Sequence, residues 1–120
     1  MAQMLPYVQE MINKRDTNKV LATSSLSGDP HAIVCSTLEA VDADTLIVAE
    51  LKMHRTGKNL EENPQGEFMI WRGRQSYFIK VRVNSRVTSG PHYDKCKKFL
   101  DELNIPMFAV WIFDVISVNG

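Results

Sequence analysis

The spacing of apolar residues divides the chain into helix-like and strand-like segments. Near the start, apolar positions three or four residues apart form one helical face, and Pro6 suits the first turn. These positions are Met4, Leu5, Val8, Met11 and Ile12. Strand-like runs follow at 19–26, 31–41 and 45–49, separated by short Gly-, Pro- and Asp-containing turns. Because such short links cannot cross over a sheet, they predict an antiparallel meander.

The second half of the chain mixes the same two patterns. A short helix is predicted from Arg55 to Asn63, where Pro64 stops it, and a strand from Glu67 to Trp71. The clearest alternation follows a hairpin loop: one face carries Tyr77, Ile79, Val81, Val83 and Val87. A third helix begins near Tyr93, and its apolar face carries Cys96, Phe99, Leu100 and Leu103.

The last segment, residues 107–118, is a strand that is apolar on both faces apart from Asp114 and Ser117. A doubly apolar strand in a small antiparallel protein predicts that one face meets a partner subunit. In all, six strands in hairpin order and three short helices predict a mainly β protein. We expect a closed or partly closed antiparallel barrel with helices at its ends.

Composition narrows the class of protein. At 120 residues, 44% of them hydrophobic, the chain predicts one folded domain spanning residues 1–120. Fourteen basic and fourteen acidic residues cancel, which argues against a general nucleic-acid binder. No apolar run is long enough to span a membrane, and the N-terminus lacks the pattern of a secretory signal. Cys35 and Cys96 are expected to be free, buried thiols in a reducing cytoplasm.

Candidate chemistry is concentrated at the start of the predicted second helix. His54, Arg55, Thr56 and Lys58 place three cationic side chains and a hydroxyl there. Backbone N–H groups are unpaired at a helix start, which carries a partial positive charge, so the segment suits a phosphate group. The alternative interpretation is a basic, solvated helix start, which is common.

The other residues that could form a functional site are the histidines, a basic strand face and Trp111. The three histidines lack metal-ligand spacing, so no metal site is predicted, and no catalytic acid–base pair stands out. The basic face that carries Lys80, Arg82 and Arg86 is typical of a solvated sheet, although it could supply one charge to an anion. Trp111 is either a core residue or the wall of a flat ligand site at an interface.

Taken together, these residues resemble a known family over nearly the whole chain. The resemblance rests on the leading helix, the strand pair around Gly28-Asp29-Pro30-His31, and the strand Leu46-Ile47-Val48-Ala49. The motif Arg55-Thr56…Asn59-Leu60…Asn63-Pro64 follows, then Tyr77-Phe78-Ile79-Lys80 and an apolar last strand. The chain resembles the FMN-binding split barrels related to pyridoxamine 5′-phosphate oxidase, and among them the small single-domain FMN-binding proteins.

The resemblance implies a homodimer of six-stranded antiparallel Greek-key split barrels with FMN at the subunit interface. It implies that Arg55 and Thr56, with His54 and Lys58, bind the FMN phosphate, since a guanidinium can hold phosphate oxygens bidentately. It further implies that two backbone segments hold the flavin ring: Val34, Cys35, Ser36, and Ala49, Glu50, Leu51. Lys80 and Trp111 complete the predicted cofactor-binding set. The small members have Gly-Gly where this chain has Leu51-Lys52, and Asn-Thr-Trp where it has Val34-Cys35-Ser36.

Three functions are consistent with these features. The first is a small FMN-dependent oxidoreductase or reductase of unknown substrate, working with a redox partner or a nicotinamide donor. The second is a flavoprotein without a substrate, acting as an electron carrier or FMN store. The third is a binding module of the same fold, a split barrel that holds haem or another cofactor, or none. The lack of an acid–base pair does not exclude the first, because a flavin carries the redox chemistry itself.

Overall fold

The computed structural model describes residues 3–120, which form three helices and seven strands. The helices are α1 (Pro6–Asn13), α2 (His54–Glu62) and α3 (Pro91–Glu102). The strands are β1 (Asn18–Ser24), β2 (Pro30–Val34), β3 (Glu39–Asp42), β4 (Thr45–Glu50), β5 (Gln65–Arg72), β6 (Gln75–Val87) and β7 (Ala109–Asn119). The predicted mainly β class and the three short helices are confirmed.

All seven strands belong to one antiparallel sheet in the order β2-β1-β5-β6-β7-β4-β3. The two edge strands, β2 and β3, are nonetheless consecutive in the chain and joined only by Cys35–Leu38. A flat sheet of seven strands would separate its edges by about 29 Å. The link spans at most roughly 18 Å, so the sheet must curl until its edges approach each other. The result is the predicted split barrel.

The strand count differs from the predicted six because residues 31–41 form two strands instead of one. The linking segment leaves β2 and crosses the gap between the barrel edges to begin β3. The Cys35 N–H donates to Lys19 O of β1 (2.9 Å), and the Ala49 N–H of β4 donates to Thr37 Oγ1 (3.1 Å). The predicted three-strand meander is therefore wrong in its middle pairing. The β1–β2 and β3–β4 hairpins form, but β2 does not pair with β3.

The barrel interior is filled by the inward-facing residues of alternating strands. Along β1, alternate positions are buried, and Leu21 is fully enclosed. Phe68 of β5 and Phe113 of β7 meet edge to face at the centre, with ring centroids 5.3 Å apart. The α1 helix adds Val8, Met11 and Ile12 of its predicted apolar face to this core. Met4 and Leu5 precede the helix; Met4 is buried, but Leu5 is 54% exposed, so its place on that face was predicted wrongly.

The final strand is buried mostly by its own chain. From Ala109 to Val115, five of the seven residues are buried and the other two are half-buried. Among the larger apolar residues of β7, Ile116 has an exposed side chain. The expectation that one face of this strand stays uncovered in a single chain is therefore wrong. The prediction of a homodimer, which the family resemblance also implies, has to rest on other surfaces.

The α3 helix packs less closely than its predicted apolar face suggests. Only Leu100 is buried, whereas the Phe99 and Leu103 side chains are half exposed. Among residues 3–120, no helix is long and apolar enough to cross a membrane.

Candidate functional site

A continuous groove runs along the junction between β4 and α2. It consists of two adjoining cavities of about 690 and 530 Å³ that share Leu51, Lys52, Met53 and Phe108. We call the larger cavity the helix half, since it lies against α2, and the smaller the linker half, since it lies against residues 35–38. Both volumes are in the range of small-molecule sites.

The helix half is positively charged because of how α2 begins. Met53 precedes the helix without a side-chain cap, and the first helical hydrogen bond runs from Gly57 N–H to Met53 O (2.6 Å). The earlier N–H groups of the first turn are those that a helix cannot pair internally. His54, Arg55 and Lys58 are exposed there, and none of them forms a side-chain hydrogen bond or ion pair with any other residue in 3–120. Such a helix start attracts anions.

The other half of the α2 motif holds the helix in place. Asn59 is buried and its Nδ2 donates to Thr23 Oγ1 of β1 at 3.1 Å. Asn63 reaches the same strand at Ser24 O (3.4 Å), while Leu60 enters the core. These contacts fix the direction of α2, so the motif divides into a cationic first turn and an anchoring second turn.

A hydrogen-bonded cluster of three side chains forms the floor of the helix half. Arg86 donates from Nε and Nη2 to the two carboxylate oxygens of Glu50, at 2.9 Å each. Trp111 Nε1 donates to Glu50 Oε1 at 2.8 Å, and the Arg86 guanidinium lies 5.9 Å from the indole centroid. The Arg86 hydrogen bonds, with that of Trp111, lower the pKa of Glu50. The carboxylate therefore stays ionised and is neutralised by Arg86 instead of repelling an anion.

The sequence did not identify Arg86 as a groove residue, since the alternation of β6 groups it with Lys80 and Arg82. A shift in the β6–β7 register between Val83 and Ser85 separates Arg86 from those two residues and pairs it with Trp111. Trp111 is 2% exposed, so its indole is largely covered, and Gly57 packs closely beside it. A strand irregularity of this kind leaves no clear signal in a single sequence.

The linker half is more apolar and brings two predicted backbone segments together. Val34, Cys35 and Ser36 line it from one side, and Ala49 and Leu51 from the other. Burial raises the pKa of the Cys35 thiol to about 12, so this thiol remains protonated and is a poor nucleophile. Two large apolar side chains stand exposed at the rim: Val34 is 77% and Phe108 62% exposed.

Three predicted residues lie outside the lining of the groove. Arg55 is exposed and Thr56 is buried, both in the first turn of α2 next to the groove. Lys80 lies on β6, where with Arg82 it borders a separate open depression that shares no lining residue with the groove. The other predicted residues line it: Val34, Cys35, Ser36, Ala49, Glu50, Leu51, His54, Lys58 and Trp111.

Within residues 3–120, the cysteines form no disulfide and the histidines belong to no metal-ligand cluster. Cys35 and Cys96 are both free, although Cys96 is only half-buried rather than fully buried as expected. No group of three histidine, cysteine or carboxylate side chains in the described chain is arranged to hold a metal ion.

Comparisons with known proteins identify the family of the chain by a profile match and its fold by similarity to solved structures. The family profile described as pyridoxamine 5′-phosphate oxidase matches residues 5–118. An FMN-binding protein from Syntrophomonas wolfei superposes with a TM-score of 0.85 at 24% identity, over 92% of this chain and 81% of that one. HupZ of Group A Streptococcus superposes with a TM-score of 0.82 at 21% identity, over 96% of this chain and 91% of that one.

A third fold relative is HutZ, the haem storage protein from Vibrio cholerae. Its TM-score is 0.67 at 17% identity, and the match covers 98% of this chain and 94% of that one. No curated protein sequence matches the chain significantly. At these identities the solved structures establish the fold, while the profile match over residues 5–118 establishes the family. The chain is a member of the pyridoxamine 5′-phosphate oxidase-like family of FMN-binding split barrels.

Proposed function

We propose that the protein binds FMN in the groove and serves as a small FMN-dependent oxidoreductase. The observation that carries the proposal is the joining of a cationic, uncapped helix start to an apolar cavity in one groove. A phosphate and an aromatic ring system need these two environments side by side. Family membership supports the same cofactor.

The charges of the helix half fit a phosphate. His54, Arg55 and Lys58 offer donors that no other described residue occupies. Of the two acidic residues that line this half, Glu50 is engaged by Arg86, which leaves Glu61 as the opposing charge. His54 and Lys58 line this half, and Arg55, exposed on the first turn of α2 beside it, supplies the main side-chain contact in this proposal. Thr56 is 1% exposed in the single chain, so we assign it no contact with the phosphate.

The linker half fits the ring. Its walls are mainly apolar, and β2 is an edge strand, so the outer backbone groups of β2 have no partner strand in the described sheet. Unpaired edge donors and acceptors are suited to the polar rim of a flat heterocycle. In this arrangement the ring is oriented by backbone groups of Val34 to Ser36 and of Ala49 to Leu51 other than the Cys35 and Ala49 N–H groups, which are bonded within the chain.

FMN, when bound, supplies hydride and single-electron transfer, and the protein contributes binding, orientation and electrostatics. Two titratable groups of the groove, Cys35 and Glu50, are not poised for proton transfer. The Cys35 thiol holds its proton, and Glu50 is held ionised by Arg86. We therefore assign no catalytic acid or base and expect the substrate to exchange electrons directly with the cofactor.

We further propose that the groove is completed by a second copy of the chain. The exposed Val34 and Phe108 side chains border an open groove, and an apolar rim of this kind is typical of an interaction surface. A partner chain covering them would also enclose the ring. The last strand, being buried already, does not contribute to this argument.

The visible spectrum of the purified protein tests the assignment. We expect a yellow protein that contains FMN at close to one per chain, or that takes up added FMN to that level. A colourless protein that fails to take up FMN would contradict the proposal, and a haem spectrum would replace it with the haem-binding alternative. Turnover with NADH or NADPH and an electron acceptor separates an enzyme from an electron carrier or FMN store.

A further inference from the structure

A second cavity, of about 550 Å³, lies between α3 and the barrel edge. Its apolar wall is the α3 face that fails to reach the core, where Phe99 is 49% and Leu103 54% exposed. Leu100 and Ile105 extend the same wall. An amphipathic helix normally buries its apolar face against the core, so it is unusual that the apolar face of α3 borders a cavity.

The opposite wall of the α3 cavity contains a buried lysine. Lys19 lies on the inward face of β1, in line with Leu21, and its residue is only 6% exposed. Its ammonium group has three N–H donors, yet within residues 3–120 it has one acceptor, Leu38 O, at a long 3.4 Å. The acidic residue that lines the cavity, Glu39, is bound by Lys95 at 2.8 Å.

A lysine that is almost wholly buried, and whose ammonium group makes one long hydrogen bond within residues 3–120, is costly for the fold. Burial lowers the pKa of Lys19, which agrees with this cost, and Glu39 partly opposes the effect. Apolar residues of similar size would fill the position at lower cost. A buried charged side chain with few hydrogen-bond partners is therefore expected at a ligand-binding site.

We propose that the α3 cavity binds a small apolar monocarboxylate, whose charged group pairs with the Lys19 ammonium and whose apolar body contacts Phe99 and Leu103. A single negative charge fits because Lys19 is the buried cation of the lining, while Lys95 and Glu39 neutralise each other and Arg15, which also lines the cavity, is exposed. A doubly charged phosphate would lack a second buried donor group. The proposal does not depend on FMN, although the cavity adjoins the linker half through Ser36, Thr37, Ala49 and Leu51.

Calorimetric titration with octanoate, and with octanol as its uncharged counterpart, tests the site on the purified protein. We expect octanoate to bind the wild type and Lys19→Met to weaken it at least tenfold, while octanol binds both proteins equally. Lys98→Met is the matched control, since Lys98 is exposed on α3 and does not line the cavity. Failure of octanoate to bind the wild type at millimolar concentration, or equal binding to Lys19→Met, overturns the proposal.

Thermal unfolding distinguishes a binding lysine from a structural one. Replacing an under-bonded buried charge by methionine is expected to keep or raise the melting temperature. A second variant, Leu103→Glu, places a carboxylate at the exposed mouth of the cavity and should weaken octanoate without unfolding the protein. A Lys19→Met protein that melts clearly lower, together with unchanged octanoate binding to Leu103→Glu, would show that Lys19 is purely structural.

Discussion

At the residue scale, the buried thiol of Cys35 makes stability depend on pH in the alkaline range. Burial raises the pKa of Cys35 from 9.0 to about 12. Between these values the folded protein keeps a proton that the unfolded chain releases. Stability therefore falls as pH rises from 9 towards 12, by at most roughly 1.4 kcal/mol per pH unit.

Urea unfolding of the wild type and of Cys35→Ala, below pH 9 and between pH 9 and 12, measures this contribution. We expect the variant to lose less stability across that interval. Lys19, whose pKa is lowered, contributes a slope of opposite sign, but it does so in both proteins and cancels in the comparison. Equal alkaline losses in the two proteins would show that Cys35 does not cause the effect.

Individual groove residues were predictable where they belong to a motif. The segment from Ala49 to Leu51 is followed closely in sequence by the cationic first turn of α2. A strand that leads into a helix therefore predicts that the two lie together. Arg86 was not predictable, because a register shift far along β6 decides which residue faces Trp111. Lys80 was included in the predicted site because its charge on a basic sheet face could serve an anion, and in one chain it borders a different depression.

At the element scale, two glycines test how closely the helices and strands pack, because one has space for a side chain and the other does not. Gly57 lies inside α2, where a methyl group would be 3.6 Å from Trp111 Cζ2, an ordinary contact. In β5, a methyl group on Gly66 would be 3.1 Å from Ala22 O and 3.2 Å from Leu21 Cδ1. The first position has room for a side chain, whereas the second is closed by backbone.

Gly57→Ala should stabilise the protein by about 0.5–1 kcal/mol, because alanine loses less backbone entropy in a helix. Gly66→Ala should destabilise it by about 1–3 kcal/mol through overpacking against β1. Urea unfolding of both variants measures the two effects side by side. A destabilised Gly57→Ala or a neutral Gly66→Ala would contradict the described packing of α2 and β5.

The strands and helices themselves were largely predictable, because alternation and helical spacing mark them directly. The break between β2 and β3 was not, since Ile33 to Leu38 reads as a continuation of one apolar strand. The strand is interrupted because the chain must cross from one edge of the curled sheet to the other. This requirement follows from the closure of the sheet and not from the local sequence. The incomplete burial of α3 was also not predictable. The apolar pattern of a helix does not reveal whether the barrel surface opposite it carries a lysine.

At the scale of the whole molecule, assembly and cofactor binding should be linked. A ligand seated across an interface binds the dimer more tightly than the monomer, so it favours dimerisation by the same free energy. Phe108→Glu, at the exposed rim of the groove, should shift the protein towards monomer and lower its FMN content together. Trp111 is unsuitable for this test because it is buried within one chain.

Analytical ultracentrifugation with and without FMN measures that linkage. Leu26→Glu is the matched control, since Leu26 is an equally exposed apolar residue that lies outside the groove lining. It should leave both assembly and FMN content unchanged. A wild type that sediments as a monomer at micromolar concentration with FMN fully bound would show that one chain builds the whole site.

The affinity ratio of FMN to riboflavin, in the wild type and in Arg55→Ala, tests the role of the α2 helix start most directly. Riboflavin lacks the phosphate, so it reports the ring contacts alone. Removing a charge-assisted phosphate contact costs about 1.5–3 kcal/mol, or roughly ten- to a hundredfold in affinity. We expect Arg55→Ala to weaken FMN by that factor and to leave riboflavin unchanged, with Arg74→Ala, in the exposed β5–β6 turn, as the control. Equal losses for FMN and riboflavin, or no loss for either, would contradict phosphate binding at the start of α2.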